Sequence, residues 1–376
     1  MGAPLTALRD RLARAREAAR AAGVGALLVT PSPDLRYLLG VGGESHERLT
    51  CLVLPADGDP SLVVPRLERP GLDGSRVAEL GLDVVDWTDT DDPYLLVADL
   101  LRRWGSMPAR AAVGDAMPAA HVLRLRDALP GTEQVLASPV LRELRMRKDA
   151  AEVEALATAG EAIDRVHARM GEWLRPGRTE AEVGIDISAA IVAEGHTEAA
   201  FVIVGSGPHG ASPHHDVSDR VLTAGDVVVV DIGGPTPEGY HSDCTRTYSL
   251  GEPAGGDVAG TYAVLREAQD AAVAAVRPGA TAEQVDAAAR GPITEAGFGE
   301  CFIHRTGHGI GLDVHEDPYI VSGNDIPLEA GMAFSIEPGI YISGRYGARI
   351  EDIVICTADG VQRLNTGSRD LLTLGA

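Results

Sequence analysis

The chain has 376 residues, of which 45% are hydrophobic, and a formal net charge of −22 at pH 7. This length predicts two domains, because one hydrophobic core seldom serves a chain longer than about 300 residues. The acidic balance argues against nucleic acid and anionic membranes as partners, since both are negatively charged themselves. The sequence has no apolar run long enough to span a membrane and no signal-peptide core, and its four cysteines are scattered. These features predict a cytoplasmic protein without a disulfide framework.

Residues 1–145 alternate strand-like and helix-like segments, which is typical of an α/β domain. The predicted strands are residues 24–30, 50–54, 61–64 and 82–86, and the predicted helices are residues 5–22, 94–104 and 119–128. The polar residues of this part form no chemical cluster. A charged stretch at residues 142–148 then leads into a long helix, predicted over about residues 148–174. We therefore expect a domain boundary between residues 145 and 146.

Residues 146–376 contain an internal repeat. The sequence Arg-Pro-Gly-Arg-Thr at residues 175–179 recurs 102 residues later as Arg-Pro-Gly-Ala-Thr at residues 277–281. In each copy the chain turns at Pro-Gly, and the threonine that follows has Glu or Gln three residues on, which is the capping-box pattern of a helix start. Two such helix–turn–helix–strand units imply a pseudo-two-fold arrangement. We expect helices on one face of a sheet and a functional site on the opposite face.

Four acidic residues end or interrupt apolar strands in this second part. Asp231 follows four valines, and Asp243 lies on the next predicted strand, so one acid falls on each arm of a predicted hairpin. Glu337 ends a third apolar strand, and Glu351 lies on a fourth. A carboxylate is unfavourable to bury unless something pairs with it. Any one of these acids alone is more often a strand-end residue, but the fourfold recurrence indicates a shared site.

His308 adds an imidazole to this set. It lies in the sequence Gly-His-Gly-Ile-Gly at residues 307–311, where the glycines let the backbone approach a pocket closely. Structural histidines in a polar loop are the alternative interpretation. Four carboxylates in one pocket would repel each other and become protonated unless cations lay between them, and two divalent ions would cancel their four charges. The sequence therefore predicts a dinuclear metal hydrolase, provided that the fold brings the five residues together.

These motifs, in this order, resemble the pita-bread metallopeptidases, in the branch of Xaa-Pro dipeptidase (prolidase) and aminopeptidase P. The matching stretches are residues 213–214, 231–233, 242–247, 307–311, 315–316, 336–341 and 349–352. Residues 32–40 of the first part resemble the creatinase/prolidase N-terminal domain. The resemblance implies an α+β protein, in which a C-terminal pita-bread fold with a pseudo-two-fold repeat (residues 146–376) follows a smaller α/β domain (residues 1–145).

The resemblance also implies a role for each matched residue. The metal ligands would be Asp231, Asp243, His308, Glu337 and Glu351, with Asp243 and Glu351 bridging two divalent ions. The catalytic residues would be Glu337, His214 and His315, and the substrate-binding residues would be His304, Arg349 and Tyr341. The ligand set is mainly oxygen, which favours Mn²⁺ among the common metals, with Co²⁺, Zn²⁺ or Fe²⁺ as alternatives.

The expected reaction is hydrolysis of the Xaa-Pro bond at the N-terminus of dipeptides or short peptides, by a homodimer. Two cations would lower the pKa of a shared water enough to supply hydroxide. Glu337 would pass the proton of that water to the leaving proline nitrogen, while His214 and His315 would hydrogen-bond the oxyanion or the peptide. Two alternatives stay open: a non-peptidase enzyme on the same fold, such as a creatinase-like hydrolase or a lyase, and a non-catalytic binding protein. The complete ligand set argues against the binding protein, which should have lost ligands.

Overall fold

The computed structural model describes residues 3–43, 45–105 and 107–375. The chain separates into two compact units, Met1–Arg145 and Met146–Ala376. Among the described residues, no helix combines the length and the hydrophobicity that crossing a membrane requires.

The first unit is built on one mixed sheet. Its strands are β1 (Ala26–Val29), β2 (Cys51–Pro55), β3 (Ser61–Pro65), β4 (Asp83–Trp87), β5 (Arg110–Val113) and β6 (Glu133–Leu136). The sheet order is β4-β3-β2-β1-β5-β6; β1–β2 and β2–β3 are antiparallel, and the other three pairs are parallel. The helices are α1 (Leu5–Ala21), α2 (Pro33–Leu39), α3 (Arg76–Leu80), α4 (Pro93–Arg103), α5 (Ala119–Ala128) and α6 (Ser138–Met146).

The predicted α/β character of this unit is confirmed, and the four predicted strands correspond to β1–β4. Strands β5 and β6 escaped the sequence prediction. Each has four residues, β5 contains two alanines, and β6 is partly exposed, so neither shows a recognisable apolar alternation. Pairing with the central strand β1, all four of whose residues are buried, places β5 in the core.

The second unit contains four helices and eleven strands among the described residues. The helices are α7 (Ala150–Ala168), α8 (Glu180–Ala193), α9 (Val258–Ala275) and α10 (Ala282–Glu295). The strands are β7 (Phe201–Ser206), β8 (Val227–Pro235), β9 (His241–Leu250), β10 (Gly307–Gly309), β11 (Glu316–Ile320), β12 (Ala333–Ile336), β13 (Gly339–Ile342), β14 (Tyr346–Arg349), β15 (Asp352–Thr357), β16 (Gly360–Arg363) and β17 (Leu372–Leu374). They form sheets of order β17-β9-β8-β7, β11-β10-β12-β15-β16 and β13-β14.

The pseudo-two-fold repeat is visible in how α8 and α10 begin. Thr179 and Thr281 each complete a capping box with the residue at the third position of the helix. The same two threonines each form an isolated antiparallel bridge, with Val221 and Pro327 respectively. The predicted long helix is shorter than expected: α7 ends at Ala168, and a 3₁₀ turn follows, in which Met170 is buried in the core.

Strand alternation separates the helix-covered face of each sheet from the opposite face. Val230 and Ile232 of β8 pack in one hydrophobic cluster with α7 and α8, so the intervening Asp231 points the other way. Phe334 and Ile336 of β12 pack in a second cluster with α9 and α10. A period of two residues thus turns the acidic side chains away from both hydrophobic clusters.

Two isoleucines of α8 test this packing. Ile187 is fully buried, whereas Ile185 is 69% exposed. We predict that Ile187→Ala lowers the free energy of unfolding by about 2–5 kcal/mol, because it removes buried methyl groups and leaves a cavity. The matched change Ile185→Ala is expected to alter the free energy of unfolding by less than about 0.5 kcal/mol. Urea denaturation followed by circular dichroism measures both, and equal losses would contradict the packing described here.

Candidate active site

The residues predicted from the sequence meet at one cavity of about 940 Å³ in the second unit. Nine of the ten line its wall: Asp231, Asp243, His308, Glu337, Glu351, His214, His304, His315 and Arg349. The tenth, Tyr341, contacts two of these through its hydroxyl group. The cavity has the size of a typical small-molecule site.

The potential metal ligands converge from several elements: Asp231, Asp243 and His308 lie on β8, β9 and β10, Glu337 directly follows β12, and Glu351 lies between β14 and β15 rather than on a strand as predicted. His308 Nε2 is 3.3 Å from Glu337 Oε1 and 3.5 Å from Asp243 Oδ2. Asp243, His308 and Glu351 each offer a ligand atom within 4.8 Å of the others. The glycines that flank His308 permit this approach, because a Cβ atom at Gly307 or Gly309 would collide with carbonyl oxygens of the neighbouring strands.

Two buried carboxylate oxygens have no hydrogen-bond partner among the described residues: Asp231 Oδ1 and Glu351 Oε1. The second oxygen of each group is satisfied, since Arg349 Nη2 donates to Asp231 Oδ2 at 2.5 Å and Thr245 Oγ1 donates to Glu351 Oε2 at 2.7 Å. An unsatisfied buried acceptor costs about 1–3 kcal/mol. Buried carboxylate oxygens that lack a donor, on residues that line a cavity, fit a divalent cation.

Electrostatics lead to the same conclusion. Burial, and then the charges of neighbouring carboxylates, raise the pKa of Asp243 and of Glu351 well above their usual values. Burial also raises the pKa of Glu337 to about 7. In contrast, burial and the proximity of His315 lower the pKa of His308 to about 3, so its imidazole is neutral and able to bind a metal ion. The cluster thus needs protons or cations to offset its negative charge.

A hydrogen-bonded chain borders the carboxylates. The Arg349 guanidinium donates through Nη1 to Tyr341 Oη at 2.7 Å and through Nε to Thr245 Oγ1 at 3.0 Å. Tyr341 Oη in turn lies 2.9 Å from His304 Nε2. Because Arg349 is 2% exposed and all three of its nitrogens are engaged, its charge is held in one position beside Asp231.

Two further histidines complete the wall of the cavity. The rings of His308 and His315 meet edge to face with their centroids 4.3 Å apart. Burial lowers the pKa of His304 to about 4 and also lowers that of His315. Both rings are therefore neutral near pH 7, and His304 engages both of its nitrogens, Nδ1 with the Arg305 carbonyl and Nε2 with Tyr341 Oη.

Three residues near the site escaped the sequence prediction. Thr245 links Arg349 to Glu351, and the strand period of two, counted from Asp243, could have indicated it. Ser335 donates to Glu337 Oε1 at 3.1 Å and accepts from the His308 amide. The buried Lys148 pairs with Glu316, the neighbour of His315; it is the only lysine among the 33 basic residues, which was a usable signal.

Comparison with known proteins places this site in a family. Residues 154–358 match the model of metallopeptidase family M24, and residues 11–147 match the creatinase/prolidase N-terminal domain. The chain belongs to metallopeptidase family M24. This confirms the predicted family resemblance, the α+β fold with its N-terminal α/β domain, and the prediction of a metal-dependent peptidase.

Curated relatives and solved structures agree with the family model. The chain is 61% identical to the "Probable dipeptidase PepE" of Mycobacterium tuberculosis over 97% of this chain and 96% of that protein. It is 38% identical to the Xaa-Pro dipeptidase of Lactobacillus helveticus, over 90% and 91%. The crystal structure of dipeptidase PepE from Mycobacterium ulcerans superimposes with a TM-score of 0.94 at 59% identity, covering 100% of both chains.

The raised carboxyl pKa values predict that metal binding displaces protons. Glu337, with a pKa of about 7, holds a proton in the metal-free protein at about pH 6, and the pKa values of its buried neighbours Asp243 and Glu351 are raised as well. His308 is already neutral and has none to release. We expect protons to be released on addition of Mn²⁺ at about pH 6, fewer at about pH 8.5, and an affinity that rises with pH through about 7.

Isothermal titration calorimetry in two buffers of different ionisation enthalpy measures this release. The same proton count at both pH values, or none at the lower one, would contradict the electrostatic description of the cluster.

Proposed function

We propose that this protein is an Xaa-Pro dipeptidase that uses two divalent metal ions. The observation that carries the proposal is the carboxylate cluster around His308, in which Asp231 and Glu351 line the cavity and each keep one buried oxygen without a hydrogen-bond donor among the described residues. The names of the relatives support the substrate class, since they include dipeptidases and Xaa-Pro dipeptidases.

The residues that would hold the ions are Asp231, Asp243, His308, Glu337 and Glu351. When bound, divalent ions supply acidity to water and polarise the scissile carbonyl. Four carboxylates and one imidazole form a hard, oxygen-rich set, which favours Mn²⁺ over Co²⁺, Zn²⁺ or Fe²⁺.

Glu337 is placed to move a proton. Its Oε1 accepts from Ser335 and lies against His308, while no described residue hydrogen-bonds its Oε2. We propose that Oε2 takes the proton of the attacking water and delivers it to the leaving proline nitrogen, which must be protonated to depart.

The remaining cavity residues would bind and orient the peptide. The hydrogen-bonded chain of His304, Tyr341 and Arg349 holds these side chains in fixed positions beside the cavity. His214 and His315 line the same cavity and would hydrogen-bond the oxyanion or the peptide itself. Fixed donors in a cavity stabilise developing charge better than mobile water does, because they need no reorganisation.

Further features of the organisation belong to the same proposal. The catalytic part would be residues 146–376, preceded by the creatinase/prolidase-like domain of residues 1–145. The working form would be a cytoplasmic homodimer. Light scattering coupled to size-exclusion chromatography measures the mass, and a species of about 39.3 kDa in the presence of metal would contradict the dimer.

The two alternatives are less well supported. A creatinase-like hydrolase or a lyase could share the scaffold, but a metal-free reaction would leave two buried carboxylate oxygens unsatisfied. A non-catalytic binding protein has no need of a neutral, buried His308 beside four carboxylates.

A substrate panel tests the proposal. The chelator-treated protein is resupplied with Mn²⁺, Co²⁺, Zn²⁺ or Fe²⁺ and assayed with Ala-Pro, Ala-Ala-Pro and Ala-Ala. We expect Ala-Pro to be cleaved fastest, with Mn²⁺ the best activator and no activity without metal. Preference for Ala-Ala-Pro would identify an aminopeptidase, and failure to cleave either proline peptide with any metal would reject the proposed activity.

A single substitution tests the role of Glu337. We predict that Glu337→Gln lowers kcat by about 10²–10⁴-fold, because the amide cannot accept the proton, while the circular dichroism spectrum stays unchanged. The matched control is Glu329→Gln, since Glu329 is a half-exposed carboxylate that pairs with Arg147 away from the cavity. The control should retain full activity. A Glu337→Gln variant with most of its kcat would show that another group moves the proton.

A further inference from the structure

One wall of the cavity is a loop without strand pairing of its own. The histidine loop, residues 206–220, begins at the end of β7 and contains three of the eleven histidines, His209, His214 and His215. Its middle part, residues 213–216, lines the cavity. A histidine on such a loop needs an anchor if it is to meet a substrate in one fixed geometry.

Glu180, the first residue of α8, supplies contacts to both arms of this loop. Its Oε1 accepts from the Ser206 amide at 2.9 Å and from Ser206 Oγ at 2.5 Å. Its Oε2 accepts from Ser218 Oγ at 2.6 Å and from His215 Nε2 at 2.8 Å. His209 Nδ1 lies 3.1 Å from both oxygens. One carboxylate therefore connects the two ends of the histidine loop with its centre.

The carboxylate is fully buried, and it is charged. Burial opposes its ionisation, but hydrogen bonds from Ser206, Ser218 and His215 lower the pKa of Glu180 to about 2. Hydrogen bonds to an ionised acceptor are about twice as strong as neutral ones. The loop is thus attached to the helix by strong, directional contacts.

The internal repeat shows that α8 does not need this residue in order to form. Position 282, the counterpart of Glu180 in the second copy, is an alanine, yet α10 begins with the same capping box. The backbone contacts are equivalent as well: the Glu180 amide donates to Arg220 O at 3.0 Å, and the Ala282 amide donates to Ile326 O at 3.1 Å. The glutamate side chain therefore serves the loop and not the helix.

We infer that Glu180 is a positioning residue that acts through His214. His214 is bonded directly to His215, one of the side chains that Glu180 holds. A charge on His214 would lower the pKa of both His304 and His315, so its ring lies within electrostatic reach of both. Loss of the contacts between Glu180 and the histidine loop would let His214 move away from His304 and His315, while the carboxylate cluster would stay in place. The inference rests on the proposed peptidase activity for its kinetic consequences only.

Glu180, His209 and His215 also offer three atoms within 4.8 Å of one another, close enough to hold a metal ion. We favour positioning because Ser206 and Ser218 already donate three hydrogen bonds to the carboxylate, and because each histidine ring directs a nitrogen at it. Metal content distinguishes the two roles. A third ion per chain that is lost in Glu180→Gln would overturn the inference.

A double-mutant cycle tests the link to His214. We expect Glu180→Gln to lower kcat/KM for Ala-Pro by about 10- to 100-fold with metal content unchanged, because a displaced His214 loses its contact with the transition state. In a His214→Ala background, Glu180→Gln should lower kcat/KM by less than about 3-fold, since the side chain that it displaces is already absent. The matched control is Glu182→Gln, which alters the exposed capping-box carboxylate of the same helix and should stay within about 2-fold in both backgrounds.

Hydrogen exchange measured by mass spectrometry supplies a readout that does not require turnover. Amides of residues 207–218 should exchange at least about 10-fold faster in Glu180→Gln than in the wild type, and no faster in Glu182→Gln. If the wild-type protein cleaved no proline peptide, the proposed function would fail while this readout still decided the role of Glu180. Equal kinetic losses in both backgrounds, or unchanged exchange in the loop, would overturn the inference.

Discussion

Mutual repulsion among buried carboxylates is the constraint around which the second unit of this metallopeptidase is organised. Asp231, Asp243 and Glu351 are buried, and Glu337 is 15% exposed beside them, so the charge of the group cannot be screened by water as it would be on the surface. Arg349 offsets one negative charge through its contact with Asp231. Divalent cations would offset the remaining charge, and the unpaired oxygens of Asp231 and Glu351 would be available to them as ligand atoms.

The second unit tolerates this electrostatic repulsion because the apolar contacts that stabilise it lie away from the carboxylates. Two separate hydrophobic clusters pack helices against the far faces of the sheets. The acidic side chains project from the other faces, so their charges do not lie within either hydrophobic cluster. Hydroxyl groups of Thr245 and Ser335 then hold individual carboxylate oxygens in place without adding charge.

Both copies of the internal repeat contain the same helix–turn–helix–strand arrangement, but the two copies together form only one carboxylate cluster. Asp231 and Asp243 come from strands of the first copy, whereas His308, Glu337 and Glu351 follow the second. Neither copy can assemble the cluster alone, so a complete site requires the whole unit. The same division appears at the helix starts, where Glu180 anchors a loop of the first copy and Ala282 occupies the equivalent place in the second.

The sequence by itself determined the features that depend on local spacing. Alternation along the strands and the order of the acidic motifs indicated the five potential metal ligands, and the resemblance of those motifs to a known family implied the fold class and the other residues at the cavity. Strands β5 and β6 were too short for that reasoning. Only the tertiary structure decided which carboxylate oxygens lack a donor, which pKa values rise, and that Glu180 reaches Ser206 and Ser218. These contacts join residues 26 to more than 100 positions apart, and no periodicity in a sequence records a pairing across such distances.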